Sequence, residues 1–143
     1  MMKTYKQTPA QGSAGFSLVE LTIVVVILGV LSMMAVPRYQ TAVERAKAAE
    51  AFTYLSQIEG AQERHNARTG EYAKNMGQLD IKMSSPQHFS VGNFSSYNWQ
   101  TQWELRLTRQ GASSGFGNYT VTWNQDGFTR GRSSIKNDLL PVM

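Results

Sequence analysis

Cysteine is absent from the 143-residue sequence, and histidine occurs only twice. The absence of cysteine excludes disulfide bonds. His65 and His88 stand in no metal-ligand or catalytic-triad spacing, and Asp126 and Asp138 are isolated acids. The sequence also contains no phosphate-binding loop and no nucleophile motif. We therefore expect no cofactor, no metal ion and no enzymatic activity.

Acidic residues are missing from the first 15 residues, which carry Lys3 and Lys6 and end in three small residues, Ser13, Ala14 and Gly15. By the positive-inside rule this leader is expected to stay cytoplasmic while the rest of the chain faces outward. An ordinary secretory signal is cleaved after its apolar segment. Here the small-residue junction precedes the apolar run, so cleavage would remove the leader and retain the helix.

An apolar run follows the leader over residues 16–36. At about 1.5 Å per residue, a helix of this length spans roughly 30 Å, which is long enough to cross a bilayer. A buried core helix is the alternative interpretation. The run contains one acid, Glu20, and a carboxylate in hydrocarbon costs on the order of 2.5–3.5 kcal/mol. We therefore expect Glu20 to have a partner and a function, the alternative being a carboxylate hydrated at the membrane surface.

The residues around this run carry a family resemblance. GFSLVEL at 15–21, VVVILGVL at 24–31 and AVP at 35–37 resemble the class III signal of type IV pilins and of the pseudopilins of type II secretion systems. The resemblance implies that a prepilin peptidase of the inner membrane cleaves between Gly15 and Phe16 and methylates the new amino group of Phe16. It extends strongly to about residue 45.

The resemblance also implies an assembly contact, in which Glu20 pairs with the Phe16 amine of a neighbouring subunit. Pairing within one helix is left open, since the two residues are four apart. Two buried charges of opposite sign favour such a pair, because either one alone is costly to bury. Gly29 and Pro37 are expected to weaken the helix between them, since glycine and proline both disfavour helix interiors.

For the whole protein the resemblance implies a structural subunit of a type IV pilus-like filament. The alternatives are a pseudopilin of a type II secretion system and a DNA-binding minor pilin. The expected partners are other copies of the chain, other pilins, the prepilin peptidase, the inner-membrane assembly machinery and, before assembly, membrane lipid. The chain is expected in the bacterial inner membrane as a single-pass protein, and afterwards in a cell-surface or periplasmic filament. Many pilins carry a C-terminal disulfide, and a disulfide-bounded receptor loop is not expected here.

The remaining pattern predicts an α+β fold with a long N-terminal helix packed on three or four short antiparallel strands. The expected divisions are a leader at 1–15, a membrane or filament-core helix at 16–36, an amphipathic helix at 37–70, and a loop and sheet at 71–143. Strands are predicted near 88–94, 103–108 and 119–123, the last followed by a hairpin turn at 124–127. Leu139, Leu140 and Val142 are expected to secure the tail.

One helical face should cover the core, and it is formed by Ala48, Ala51, Tyr54, Leu55 and Ile58. Phe52 lies on the flank of that face. There a monomer would leave it partly exposed, or a neighbouring subunit would cover it.

A basic cluster lies in the strand region, with tryptophans nearby in sequence. Its members are Arg106, Arg109, Arg130, Arg132 and Lys136. Basic residues with aromatics can bind nucleic acid through phosphate contacts and base stacking. A solvated sheet face over core tryptophans is the alternative, and we favour it. The formal net charge is +4, and removal of the two leader lysines discards half of it.

Overall fold

The computed structural model describes residues 15–111 and 115–141 and confirms the predicted α+β fold. Helix α1 runs over Leu18–Thr69 and precedes an antiparallel sheet with the strand order β1-β2-β3-β4. The strands are β1 Phe89–Val91, β2 Glu104–Arg109, β3 Thr120–Asn124 and β4 Gly127–Phe128. Short 3₁₀ segments lie at Met76–Gln78, Arg130–Arg132 and Asn137–Leu139.

The chain divides into two compact units, with the boundary between Val36 and Pro37. In the first unit the described residues form the start of α1, and their apolar side chains are exposed. Among the described residues, α1 is the one helix that is long and apolar enough to cross a membrane. The mean hydropathy of an 18-residue window within it is 2.5.

The second unit contains the core, where the amphipathic part of α1 packs on the sheet. The predicted helical face is buried, with Leu55 and Ile58 at its centre. From the sheet, β2 contributes alternate residues, Leu105 and Leu107, as expected for a half-buried strand. β3 is buried on both faces, since Val121, Thr122 and Trp123 are all buried. The hydroxyl of Thr122 donates to the carbonyl of Arg132, in the 3₁₀ segment Arg130–Arg132, at 2.8 Å.

Phe52 is buried at 7% exposure, which corrects the expectation of a partly exposed or neighbour-covered flank. Its ring lies 5.7 Å from that of Trp123 and 5.1 Å from that of Phe128. The β3–β4 hairpin carries both partners and folds over the flank of the helix. Helical periodicity alone places Phe52 beside the core, and only the hairpin covers it.

The helix ends as predicted, since Gly70 follows Thr69 with a φ of 81° and its N–H donates to the Asn66 carbonyl at 2.7 Å. The hairpin turn after β3 is also confirmed. Asn124 pairs with Gly127 across it, and Gly127 has a φ of 97°. At the tail Leu139 is buried and Leu140 partly buried, while Val142 lies outside the described residues, as does part of the predicted loop at 111–117.

β1 is shorter than the predicted strand and ends at Val91. The next residue, Gly92, donates its N–H to the Arg106 carbonyl at 2.9 Å, and a Cβ there would lie 2.8 Å from that oxygen. The close approach therefore requires glycine. Pairing resumes only at Ser95, which forms an isolated bridge with Glu104.

A buried ion pair joins the helix to the sheet. The guanidinium of Arg109, at the end of β2, donates to both carboxylate oxygens of Glu44 on α1, at 2.6 and 3.1 Å. Glu44 is 0% exposed and Arg109 is 1% exposed. The hydroxyl of Tyr119 donates to the same carboxylate at 3.0 Å, and Arg109 also donates to the backbone carbonyl of His88 at 3.1 Å.

Burial and the carboxylate set the protonation of this cluster. Burial and the charge of Glu44 both raise the pKa of Tyr119, so the phenol remains protonated and continues to donate. Burial by itself would lower the pKa of Arg109, but the hydrogen bond and charge of Glu44 hold that pKa above its ordinary value. The cluster is therefore a fixed set of donors around one buried anion.

A second carboxylate, Glu50, fixes the start of β1 on the helix. It accepts hydrogen bonds from the backbone N–H of Gln87 at 2.7 Å and of His88 at 3.3 Å, and its Oε2 lies 2.9 Å from His88 Nδ1. Burial alone would raise the pKa of Glu50, but these hydrogen bonds outweigh burial and lower it.

We predict that replacing one partner of the Glu44–Arg109 pair destabilises the fold strongly, and that replacing both partners destabilises it much less. Arg109→Met or Glu44→Leu alone should lower the free energy of unfolding by about 3–5 kcal/mol, because each leaves a buried charge without its opposite charge. The double variant should cost clearly less than the sum of the two. Urea titration of the detergent-solubilised chain, followed by tryptophan fluorescence, measures these values.

The control is Arg64→Met, which breaks a surface pair in which Arg64 Nη2 lies 2.9 Å from Asp80. Exposed pairs contribute about 0–1 kcal/mol, so this variant should be nearly neutral. Additive effects of the two buried substitutions would contradict the prediction.

We also predict that Glu50 stabilises the fold only above acidic pH. Its pKa in the folded chain lies below the unfolded value of about 4.5, so its contribution is fully present above that pH and is lost as pH falls through the folded value. The melting temperature of the native chain should therefore exceed that of Glu50→Gln at neutral pH, and the gap should close on acidification below about pH 4.5. A gap that widens on acidification would show the opposite sign.

Candidate processing and assembly site

The start of α1 is a capping box built from Ser17 and Glu20. The backbone N–H of Ser17 donates to Glu20 Oε2 at 2.8 Å, and the backbone N–H of Val19 donates to Ser17 Oγ at 3.3 Å. The first backbone bond of the helix follows, from the N–H of Leu21 to the Ser17 carbonyl at 3.2 Å. Each side chain satisfies an N–H that has no partner inside the helix.

Sequence reasoning missed this arrangement, although its signal was present. Serine followed three residues later by glutamate, just before an apolar run, is the pattern of a capping box. The pattern also explains why the helix begins at Leu18 rather than at the predicted residue 16, since Ser17 is the cap. Glu20 therefore has a structural partner within its own chain.

The cap leaves part of Glu20 available. Among the described residues, no hydrogen bond reaches Oε1 of Glu20, and the side chain is exposed. Phe16 is 89% exposed and precedes the helix, so the two residues do not share the helical i, i+4 geometry. The junction of Gly15 and Phe16 is likewise non-helical and exposed. The leader before Gly15 lies outside the described residues.

The polar side chains within the apolar run are satisfied locally. Thr22 donates its hydroxyl to the Val19 carbonyl at 2.8 Å, and Ser32 donates to the Leu28 carbonyl at 2.7 Å. Their hydroxyl groups therefore need no partner from lipid.

The two expected weak points, Gly29 and Pro37, both lie inside a continuous helix in this single chain. A Cβ at Gly29 would meet no atom within 4 Å. Pro37 cannot donate a backbone hydrogen bond, and its own carbonyl accepts the hydroxyl of Thr41 at 3.0 Å. The proposed weakening of the helix in a filament therefore stays a prediction.

The basic cluster is divided between interior and surface. Arg109 is buried against Glu44, which corrects the expectation that it lies with the others on the surface. Its sequence position gave no sign of a partner 65 residues earlier. Four members are exposed, and they are Arg106, Arg130, Arg132 and Lys136.

The exposed members make local contacts. Arg132 Nε lies 2.9 Å from Glu104, and Lys136 donates to the Gly115 carbonyl at 2.8 Å. The tryptophans face the interior, with Trp103 and Trp123 buried and Trp99 partly buried against the core. A nucleic-acid site needs exposed rings for base stacking, so this arrangement favours a solvated sheet face. Within the described residues, His, Asp and Glu form no group of three that could hold a metal ion.

Comparisons with known proteins match parts of the chain. Residues 11–36 match the family described as "Prokaryotic N-terminal methylation motif". Over 39 residues the chain is 51% identical to "Fimbrial protein" of Moraxella nonliquefaciens, covering 27% of this chain and 25% of that protein. Over 51 residues it is 43% identical to "Fimbrial protein EcpC" of Eikenella corrodens, covering 36% and 33%.

The matched part thus spans a quarter to a third of the length of these curated relatives. A solved structure of a type IV pilin from Shewanella oneidensis aligns with a TM-score of 0.45 and 19% identity, over 59% of this chain and 86% of that chain. The methylation motif covers the capped, apolar start of α1. Part of the chain is thus similar to fimbrial proteins, and its amino-terminal segment carries the prokaryotic N-terminal methylation motif.

Proposed function

We propose that the chain is a structural, non-enzymatic subunit of a type IV pilus-like filament, and that Glu20 is its assembly contact. The observation that carries this proposal is the carboxylate of Glu20, which lies at the start of an exposed apolar helix and has only one oxygen hydrogen-bonded among the described residues. Oε2 of Glu20 accepts the Ser17 N–H at 2.8 Å, while no described residue donates to Oε1. Oε1 remains available to a donor from another chain.

The donor that we propose is the amino group of Phe16 in a neighbouring subunit, created by cleavage after Gly15. Within one chain Phe16 lies before the helix and Ser17 occupies the near side of the carboxylate. This arrangement supports pairing between chains rather than within one. The new ammonium would then be paired, and neither charge would be left alone in an apolar environment.

The exposed apolar side chains of the first unit support the proposal that this segment lies first in a membrane and then in a filament. In a membrane they would face lipid, and in a filament they would pack against the same segments of other subunits. The proposed partners are therefore copies of this chain, related pilins, the prepilin peptidase and the inner-membrane assembly machinery. The proposed route runs from a single-pass inner-membrane protein to a surface or periplasmic filament.

No observation on the described residues favours a secretion pseudopilin or a DNA-binding subunit over this function.

Gly15→Val should block removal of the leader while leaving the fold intact. A side chain at Gly15 would meet no described atom within 4 Å, so a loss of cleavage would reflect the peptidase junction and not misfolding. Intact mass spectrometry, in a host with an active prepilin peptidase, should show the full-length chain for Gly15→Val. It should show a chain that begins at methylated Phe16 for the native protein.

Gly131→Val is the matched control, because Gly131 also has open space at its Cβ. It should be processed normally. Efficient cleavage of Gly15→Val at the native junction would contradict the proposed processing site.

Glu20→Gln should abolish filaments while leaving processing and the helix cap in place. Glutamine retains an oxygen that can accept the Ser17 N–H, but it cannot neutralise an ammonium. An unpaired charge in an apolar core costs on the order of 2.5–3.5 kcal/mol, so filament yield should fall by roughly a hundredfold. Electron microscopy of sheared filaments measures yield, and the mass of the cell-associated chain reports processing.

Two further variants separate charge from capping. Glu20→Leu removes both the charge and the cap and should also abolish filaments. Ser17→Ala removes only the serine side of the cap and should assemble. Normal filaments from Glu20→Gln, with none from Glu20→Leu, would show that Glu20 acts only as a cap and would overturn the proposed contact.

A further inference from the structure

A small cavity lies in the second unit. It has a volume of about 270 Å³ and lies between the segment that joins β1 to β2 and the turn that follows β3. Sites for drug-sized ligands typically measure about 300–1,000 Å³. A cavity slightly below that range admits one small ring rather than an extended ligand.

Backbone hydrogen bonds fix the walls of the cavity. Ser95 and Glu104 exchange two of them, at 2.8 and 2.9 Å, and these hold the joining segment against the start of β2. On the other side the backbone N–H of Trp103 donates to the side-chain oxygen of Gln125 at 3.3 Å. The cavity is thus formed in the folded chain before any ligand binds, which lowers the ordering cost of binding.

The charges within the cavity compensate each other. Glu104 and Arg132 both line it, and Arg132 Nε lies 2.9 Å from Glu104 Oε2. A phosphate or carboxylate ligand would be repelled by Glu104, and a metal cation or ammonium ligand would be repelled by Arg132. The pairing therefore favours an uncharged ligand.

The uncommitted polar groups both donate and accept hydrogen bonds. Within residues 15–111 and 115–141, the side-chain amide of Gln102 has no hydrogen-bond partner. Asn124 accepts the backbone N–H of Asp126 at 2.9 Å through Oδ1, and its NH₂ group is left without a partner in the same described ranges. A hydroxyl group both donates and accepts, and it therefore matches carboxamides better than an anion or a cation does.

Tyr97 adds an aromatic surface at the edge of this cavity. It lines the cavity, its side chain is 95% exposed, and no described residue bonds its hydroxyl. An exposed aromatic ring offers an apolar face with a polar tip. A sugar ring presents the complementary surface, with C–H groups on its faces and hydroxyls around its edge.

We propose that this cavity binds one neutral sugar ring. Tyr97 covers a C–H face of the ring, and the amides of Gln102 and Asn124 bond its hydroxyls. The charges of Glu104 and Arg132 cancel, so the cavity lining has no net charge and disfavours charged ligands. The proposal goes beyond filament assembly and does not depend on it, because the cavity and its lining belong to one folded unit.

The test uses the full-length chain in a detergent without a sugar headgroup, since such a headgroup would compete for the site. Methyl glycosides of neutral hexoses, and oligosaccharides that end in them, are titrated and followed by saturation-transfer NMR. Inorganic phosphate and calcium chloride serve as charged comparators. We expect at least one neutral hexoside to bind with a millimolar dissociation constant, while neither comparator displaces it.

Variants then locate the site. Gln102→Ala and Asn124→Ala should each weaken binding about threefold to tenfold, as expected for the loss of one or two hydrogen bonds. Tyr97→Ala should weaken binding by a similar factor, whereas Tyr97→Phe retains the ring and should bind nearly as well as the native chain. Gln100→Ala is the matched control, because Gln100 is exposed on the same segment and does not line the cavity.

Three outcomes would overturn the proposal. They are the absence of binding by every neutral hexoside, binding that is unchanged by Gln102→Ala and Tyr97→Ala, and tighter binding of phosphate or calcium than of any sugar. A longer oligosaccharide that binds better than its terminal hexoside supports a glycan chain as the source of the ring. Equal affinities support recognition of the terminal ring alone. Each of these results is independent of whether filaments form.

Discussion

The second unit depends on one buried anion, the carboxylate of Glu44. It receives two hydrogen bonds from Arg109 and one from Tyr119, and Arg109 also holds the carbonyl of His88 at the start of β1. Helix α1, β1, β2 and the approach to β3 therefore meet at a single charge. Because this carboxylate is 0% exposed, a different placement of the helix on the sheet would separate it from the positive charge of Arg109. We interpret the cluster as favouring one specific packing of the helix on the sheet more than it adds net stability. The attraction within a buried ion pair offsets only part of the free-energy cost of removing both charges from water.

Two of the glutamates of α1, Glu44 and Glu20, illustrate two uses of one residue type. Glu44 is buried and bonded within its own chain, so it completes a folded unit. Glu20 is exposed, and only one of its oxygens is committed, to the N–H of Ser17. The capping bond orients the carboxylate while leaving Oε1 open. The physical difference is the number of hydrogen-bonded oxygens. A carboxylate with both oxygens bonded within its chain stabilises one fold, and a carboxylate with one unbonded oxygen at an exposed helix end can accept a hydrogen bond from another chain.

Local sequence patterns predicted the elements well. The apolar face around Leu55, the glycine stop at Gly70 and the hairpin turn ending at Gly127 all follow from rules that involve neighbours in sequence. The capping box of Ser17 and Glu20 is equally local, although the sequence interpretation gave Glu20 only the Phe16 amine of a neighbouring subunit as a partner. Burial of Phe52 was not readable, because the hairpin that covers it lies far along the chain. Alternation along β2 places Arg109 on the face of Leu105 and Leu107, but its buried partner Glu44, 65 residues earlier, was not readable.

The sequence by itself determined the apolar segment, the helix with its start and stop, the strand alternation and the resemblance to type IV pilins. Each of these is encoded within a few residues, where periodicity and backbone preference act directly. The tertiary structure alone decided which buried charge meets which partner and where a cavity forms. Alternation places Arg109 on the inner face of β2 and Arg106 on the outer face, but it does not supply the opposite charge that allows Arg109 to be buried. Only the folded chain brings Glu44 to Arg109, and the energy of a charge depends on what surrounds it in space.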